Sequence, residues 1–165
     1  MKQVIQRNGG FTLVELVAVI VLLGILSVAA LPRFIDLRGD ARNGVLQGVI
    51  GSTQSAAVQI YAKALIQNSV AATGTVTDGS NTVATVFGYP ASNSTTNDDI
   101  ADLLSVDGDA SLIFEAAVAA ATSREFGYDD DGDGSVDDDG CYGTYTDSGA
   151  AGTLPAIVIT ASTGC

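Results

Sequence analysis

The 165-residue chain contains no histidine and no tryptophan, and it has only seven lysines and arginines against 19 aspartates and glutamates. Histidine is the side chain most often used for proton transfer near neutral pH. The sequence also lacks a glycine-rich phosphate loop, and beyond Lys63 its only basic residue is Arg124. No residue set supplies a nucleophile, a base and an orienting group, and no basic patch is available for phosphates. Composition therefore argues against an enzyme and against a nucleic-acid-binding protein.

Acidic residues are concentrated in the second half of the chain. Between Asp78 and Asp147 there are sixteen acids and one base, and the formal net charge of the whole chain is −12. This distribution predicts an acidic, soluble surface that offers ligands to cations.

An apolar segment occupies the first part of the chain. From Leu16 to Leu31 every residue is apolar, glycine or serine, and the 21 residues from Phe11 to Leu31 contain one acid, Glu15. At about 1.5 Å per residue, a helix of this length crosses a hydrocarbon core of about 30 Å. A carboxylate in such a segment costs about 2.5–3.5 kcal/mol on insertion scales. We therefore expect Glu15 to have a partner.

Two simple interpretations compete for this segment. A cleaved secretory signal would explain the basic residues Lys2 and Arg7, the apolar core and the small residues around Ser27–Ala29. A plain membrane anchor would explain the apolar run alone. Neither explains a carboxylate at the head of the apolar run.

A family resemblance explains both the start of the apolar segment and the carboxylate of Glu15. It is carried by the sequence Gly10-Phe11-Thr12-Leu13-Val14-Glu15, which resembles the prepilin-peptidase signature of type IV pilins. The resemblance implies cleavage between Gly10 and Phe11, N-methylation of Phe11, and pairing of Glu15 with the N-terminal amine of a neighbouring subunit. It also implies that Gly24 and Pro32 bracket a stretch that unwinds during assembly. The physics agrees, because a buried amine and a buried carboxylate offset each other's desolvation.

The residues after the apolar segment resemble one subgroup of the type IV pilins. The run Pro32-Arg33-Phe34-Ile35-Asp36-Leu37-Arg38-Gly39-Asp40-Ala41-Arg42 resembles the same region of mannose-sensitive haemagglutinin-type (MSHA) pilins. Gly88-Tyr89-Pro90 resembles those pilins more weakly. The resemblance extends over about the first 68 residues.

The fold that this resemblance implies is the α+β type IV pilin fold, in which a long N-terminal helix packs on a small antiparallel sheet. Apolar residues at steps of three and four continue from Phe34 to Leu65 in two adjacent rows, so we expect the helix to extend to about Gln67–Ser69. The predicted divisions are a removed leader at 1–10, a transmembrane and filament-core helix at 11–31, its amphipathic continuation at 32–68, and a globular head at 69–165.

Secondary structure within the head is less clearly indicated. Residues 73–99 are rich in threonine, serine, asparagine and glycine, which predicts loop with one strand at Val83–Phe87. Short helices are predicted at Asp98–Leu104 and Ala110–Thr122, with a strand across Leu112–Phe114 left open as an alternative. Two more strands are predicted at Tyr142–Thr146 and Leu154–Thr160.

An aspartate-rich stretch at 129–140 is a candidate calcium loop. Asp129, Asp131 and Asp133 precede Gly134 in the D-x-D-x-D-G opening of such loops. Ser135 would add its backbone carbonyl, and Asp137 would occupy the ninth position. The twelfth position is Gly140, where a calcium loop has a bidentate glutamate, so we expect a loose dissociation constant of about 10⁻⁴–10⁻³ M. The alternative is a solvated acidic loop without an ion.

The two cysteines, Cys141 and Cys165, bound the C-terminal region 141–165. Two cysteines in an exported chain most simply form a disulfide, and no C-x-x-C motif indicates redox chemistry. In the chain-entropy model this bridge contributes about 3 kcal/mol.

The sequence thus predicts a structural pilin that polymerises through its N-terminal helix into a helical filament for surface attachment. Its implied partners are other copies of itself, a prepilin peptidase and the pilus assembly machinery, with the inner membrane before assembly and the bacterial surface afterwards. No nucleic-acid partner is expected, and calcium is the one possible cofactor. The alternatives are a type II secretion pseudopilin and a membrane-tethered calcium-binding module that never polymerises.

Overall fold

The structure, a computed structural model, describes residues 10–104, 111–116, 118 and 120–165, without the side chains of residues 29–36. Residues 1–9 of the predicted leader lie outside these described residues. The chain divides into two compact units between Arg38 and Gly39.

The first element is the helix α1, Leu13–Ile66. It ends in a left-handed cap, because Asn68 has φ of 56° and the Ser69 N–H donates to the Ala64 carbonyl at 2.8 Å. The Asn68 N–H donates to the Leu65 carbonyl at 3.3 Å, which completes a Schellman motif. This end confirms the helix boundary that was predicted near Gln67–Ser69.

Within the residues that the structure describes, seven strands follow and form two antiparallel sheets. The first sheet has the order β1-β2-β3 and the second has the order β4-β5-β6-β7. Their bounds are β1 Gly74–Asp78, β2 Asn81–Val86, β3 Tyr89–Pro90, β4 Leu112–Phe114, β5 Ser123–Tyr128, β6 Tyr142–Thr146 and β7 Ala156–Ala161.

Residues 39–66 of α1 contact both sheets through two buried clusters. In one cluster, Leu46 packs with Phe126 and Tyr145 of the second sheet. In the other, Ile60 and Ala64 pack with residues of the first sheet. A single helix face therefore supplies part of the core of each sheet.

The buried helix face differs from the two predicted rows of apolar residues. Residues from both rows, together with one polar residue, form the stripe that faces the sheets: Leu46, Ile50, Thr53, Ala57, Ile60 and Ala64. Thr53 is fully buried, and its hydroxyl donates a hydrogen bond to the Val49 carbonyl at 2.6 Å. This bond within the helix gives the buried hydroxyl a partner, so a polar residue can occupy the stripe. Leu37 and Leu65, which belonged to the predicted face, are more than half exposed.

The predicted class, with a long N-terminal helix on antiparallel sheet and a C-terminal disulfide, is confirmed. Two local predictions are wrong and one open alternative is confirmed. Residues 73–99 contain β1 and β3 in addition to β2, and residues 100–103 form turns instead of a helix. Leu112–Phe114 is strand, the alternative to helix that the sequence left open. Leu112–Phe114 pairs with β5, so cross-strand pairing outweighs the helical preference of its alanine-rich surroundings. Residues 110, 117 and 119 of the predicted helix Ala110–Thr122 lie outside the described residues.

Candidate functional site

The predicted cleavage junction lies immediately before the helix. Gly10 and Phe11 are exposed, and the Phe11 side chain is 92% exposed. The helix begins two residues later, at Leu13. The peptide bond between Gly10 and Phe11 is therefore outside regular secondary structure and open to solvent.

Glu15 forms a reciprocal capping box with Thr12 at the start of α1. The Glu15 Oε2 atom accepts hydrogen bonds from the Thr12 N–H at 2.9 Å and from the Thr12 hydroxyl at 3.0 Å. In return, the Glu15 N–H donates to the Thr12 Oγ1 atom at 3.3 Å. The T-x-x-E spacing is the signature of this cap, so the sequence contains a local signal for the contact in addition to the predicted pairing of Glu15.

The side chains that follow form an apolar surface around the helix. Between Phe11 and Val28, thirteen large apolar side chains are each at least 45% exposed. Gly24 lies among them, and a Cβ atom added there would have no atom within 4 Å. A helix that is apolar on all sides is normally surrounded by other apolar groups, either of protein or of lipid.

Over the parts of the chain that the structure describes, no helix meets the length and hydropathy needed to span a membrane. The side chain of Pro32, the second predicted bracket residue, lies outside the described residues.

The aspartate-rich loop brings three of its five predicted calcium ligands together. Carboxylate oxygens of Asp129, Asp131 and Asp133 all lie within 4.8 Å of one another. Asp129 accepts hydrogen bonds from the N–H groups of Gly132 and Gly134 at 2.6 and 3.0 Å. These backbone bonds orient the carboxylate toward the interior of the loop.

The other two predicted ligands, Ser135 and Asp137, are hydrogen-bonded to each other. The Ser135 hydroxyl donates to the Asp137 Oδ1 atom at 2.7 Å, and Asp137 is not part of the three-aspartate cluster. Glu115, which the sequence analysis missed, accepts a hydrogen bond from the Val136 N–H at 2.9 Å. Asp139, next to the Gly140 position, accepts a hydrogen bond from the Asp130 N–H at 2.8 Å.

The loop is also bonded to the helix. Arg42 donates two hydrogen bonds to the Asp130 carboxylate, at 2.8 and 2.6 Å, and its guanidinium lies 4.5 Å from the centre of the Tyr128 ring. Bidentate arginine–carboxylate pairs have fixed geometry and are stronger than simple ion pairs. This contact orients one side of the aspartate-rich loop toward α1.

The pKa of one carboxyl next to the loop, that of Glu125, is raised. Burial raises the pKa of Glu125, and the negative charges of Glu115 and Asp137 raise it further. Concentrated negative charge of this kind favours cations near the loop.

The predicted disulfide joins Cys141 and Cys165, whose Cα atoms are 4.8 Å apart. The Gly164 N–H donates to the Gly140 carbonyl at 2.9 Å, beside the bridge. Cys141 is almost fully buried in the core of the second sheet. The bridge therefore connects the C-terminal segment to the core and to the end of the aspartate-rich loop.

Comparisons with known proteins find similarity in the N-terminal part of the chain. Residues 5–31 match the family described as "Prokaryotic N-terminal methylation motif". The chain is similar to the type IV narrow pilus major component PilA5 of Thermus thermophilus, with 44% identity over 61 residues. That alignment covers 37% of this chain and 49% of the relative, so the chain spans about half the length of the relative that it matches. No solved structure matches.

Proposed function

We propose that this chain is a subunit of a type IV pilus and polymerises through its N-terminal helix. The observation that carries the proposal is the N-terminal segment itself. An exposed Gly10–Phe11 junction, a carboxylate at Glu15 and an apolar helix surface follow one another within the region that matches the methylation motif. The similarity to a pilus major component over 61 residues supports the same interpretation.

In this proposal the apolar surface of Phe11–Val28 is buried by the same surface of other copies. Removing apolar surface from water stabilises association by about 25 cal/mol per Å². Cleavage after Gly10 exposes the amine of Phe11, and Glu15 of a neighbouring copy pairs with it. The pair offsets the desolvation of both charges, which gives a preferred axial position to an otherwise non-directional apolar contact.

Further parts of the proposal come from the family resemblance. A prepilin peptidase would remove residues 1–10, the segment 11–31 would lie in the inner membrane before assembly, and the assembly machinery would then move the subunit into an extracellular filament. Attachment to surfaces and the MSHA subtype are also proposed from the resemblance. The membrane-spanning role of 11–31 is a prediction from the sequence alone.

Two variants of Glu15 test polymerisation. We expect Glu15→Ala to abolish filaments on the cell surface while the chain is still made, because the apolar contact loses its ion pair. Glu15→Gln keeps an oxygen that accepts hydrogen bonds from Thr12 but removes the charge, and we expect it to abolish filaments as well. Glu125→Gln removes one carboxylate from the head and serves as the control, with filaments at the wild-type level.

The same experiment separates the alternatives. A tethered module that never polymerises would give no filaments from the wild-type chain. A pseudopilin would be processed after Gly10 but would remain in the cell envelope, so immunoblots of sheared and envelope fractions distinguish it. Normal filaments from Glu15→Ala would contradict the pairing mechanism.

We further propose that the aspartate-rich loop binds calcium through Asp129, Asp131 and Asp133, with Ser135 and Asp137 completing the set. The convergence of three carboxylates within 4.8 Å favours this second function. Calcium prefers six to eight oxygen ligands, and the loop is rich in carboxylate and carbonyl oxygens.

Thermal unfolding of the full chain in detergent, in EGTA and in about 10 mM CaCl₂, tests calcium binding. With a dissociation constant of about 10⁻⁴–10⁻³ M, linkage predicts a stabilisation of about 1–3 kcal/mol. Asp131→Asn keeps the oxygen that accepts from the Asp133 N–H but removes a ligand charge, so the calcium effect should decrease. Asp40→Asn, an exposed helix position, is the control. An equal response to magnesium would indicate charge screening instead of a calcium site.

A further inference from the structure

The carboxylate of Glu15 already accepts hydrogen bonds from its own chain. Its Oε2 atom accepts from both donors of Thr12, the backbone N–H and the side-chain hydroxyl, at 2.9 and 3.0 Å. The carboxylate that the proposed function assigns to a neighbouring subunit is therefore stabilised in cis when the subunit is alone.

This cis contact has a clear physical consequence. An ionised carboxylate in apolar surroundings is costly unless hydrogen bonds replace those it made to water. Thr12 supplies two such bonds from the adjacent turn of the same chain. A neutral hydroxyl is, however, a weaker donor to a carboxylate than a charged amine. The amine of a second copy can therefore compete with the hydroxyl for the same oxygen.

We propose that Thr12 is a positioning residue that bonds Glu15 in cis while the subunit is unassembled, and that the amine of a second copy displaces the Thr12 hydroxyl on assembly. This inference rests on the proposed function. The exchange breaks the bond from the Thr12 hydroxyl to Glu15 Oε2 and forms one from the amine, with no covalent change. The Thr12 backbone N–H keeps its hydrogen bond to Glu15 Oε2.

Two substitutions separate the hydroxyl from the rest of the side chain. Thr12→Val has nearly the same shape and β-branching but no hydroxyl. It therefore loses two hydrogen bonds, the one that the hydroxyl donates to Glu15 Oε2 and the one that the hydroxyl oxygen accepts from the Glu15 N–H. Thr12→Ser retains the hydroxyl and is the matched control. Serine and threonine are both good N-cap residues, whereas aliphatic residues are poor ones.

The experiment is amide hydrogen exchange at Glu15, measured for the processed full chain both as a monomer in detergent micelles and in sheared filaments. In micelles we expect Thr12→Val to accelerate exchange by about threefold to tenfold, consistent with the loss of an N-cap, and Thr12→Ser to stay within about twofold of wild type. In filaments we expect all three chains to exchange alike, because the apolar surfaces of neighbouring copies shield the Glu15 N–H from water once the hydroxyl no longer holds the Glu15 carboxylate.

Each other outcome overturns the inference. Equal exchange of all three chains in micelles would mean that Thr12 does not hold Glu15 in cis. Faster exchange of Thr12→Val in filaments as well would mean that the hydroxyl remains on Glu15 after assembly. If the wild-type chain forms no filaments, the proposed function fails and so does the displacement step, while the micelle measurement still reports whether the cis contact exists.

Discussion

At the scale of single residues, two ion pairs of the head differ strongly in their exposure to solvent. Arg124 and Asp99 form a pair at 2.6 Å in which the side chains are 11% and 2% exposed. Lys63 and Asp78 form a pair in which the side chains are 39% and 48% exposed. The Arg124 Nε atom also donates to the Glu115 carbonyl at 2.6 Å, and Asp99 accepts from two backbone N–H groups. The buried pair is therefore part of a hydrogen-bonded network.

Removing one partner from each pair should have unequal effects on stability. Arg124→Gln leaves the buried Asp99 carboxylate without its cation, which we expect to cost about 3–5 kcal/mol in the free energy of unfolding. Lys63→Gln should cost at most about 1 kcal/mol, because the exposed pair is screened by water. Urea denaturation of the two variants and the wild type measures both values. Similar losses for the two variants would contradict this assignment.

Asp147 gives a pH-dependent prediction. Burial raises the pKa of the Asp147 carboxyl, while its bond from the Ser92 N–H, at 2.6 Å, opposes the rise. The raised pKa means that the folded state binds protons more tightly than the unfolded state. The stabilisation from this group is complete below its unfolded pKa of about 3.9 and is lost as pH rises through its folded pKa.

We therefore expect Asp147→Asn to raise the melting temperature at pH 7, because asparagine retains the acceptor oxygen without the charge. The gain over wild type should decrease as pH falls through the raised folded pKa of Asp147, and it should be smallest below about 4, where the aspartate is protonated in both states. Melting curves at several pH values measure this, with Asp40→Asn as an exposed control. A gain that is the same at every pH, or a loss at pH 7, would contradict the prediction.

At the scale of elements, the hairpin between β2 and β3 depends on its two-residue loop. Val86 pairs with Tyr89, and the intervening Phe87 and Gly88 have φ of 51° and 84°. Two positive φ angles are typical of type I′ turns, which match the twist of the strands. Gly88 also lies against α1, where an added Cβ atom would be 3.1 Å from a Tyr61 ring carbon.

Gly88→Ala should therefore destabilise the protein by about 1–3 kcal/mol, through backbone strain and the contact with α1. Gly79→Ala is the matched control, because Gly79 has φ of 64° but no atom lies within 4 Å of an added Cβ. We expect the control to show only the backbone part of the cost. Thermal unfolding compares the two variants, and an equal loss would mean that the helix contact contributes nothing.

The elements that could be predicted from the sequence are those with a local signal. The helix end near Gln67–Ser69, the strand Tyr142–Thr146 and the Cys141–Cys165 bridge each depend on adjacent residues or on a simple pairing rule. Strand Leu112–Phe114 depends on pairing with β5 and could not be separated from a helix by its own composition. Thr53 occupies the buried helix stripe because of a backbone bond that no apolar periodicity indicates.

The candidate calcium site likewise has one part with a local sequence signal and one part that depends on tertiary contacts. The D-x-D-x-D-G spacing assigned Asp129, Asp131 and Asp133 to one loop site, and their carboxylate oxygens lie within 4.8 Å of one another. It did not predict Glu115 or Arg42, which reach the loop from distant parts of the chain. Such partners depend on the tertiary fold and have no local signal. Whether the loop binds calcium stays a prediction.

At the scale of the whole molecule, charge and hydropathy are strongly separated along the chain. The N-terminal segment presents exposed apolar side chains from Phe11 to Val28, and the region from Asp78 to Asp147 carries sixteen acids. A large exposed apolar surface is typical of a region that contacts other protein or lipid, and a high net charge favours solubility of the remainder. We propose that this segment is processed and buried in a filament.

Tandem mass spectrometry of filaments sheared from intact cells tests that claim most directly, because one spectrum reports the N-terminus and the thiol state of an assembled subunit. We predict a mature chain that begins with N-methylated Phe11 and contains a disulfide between Cys141 and Cys165. A subunit with residues 1–10 still attached, or one that begins after Ala29, would contradict the claim.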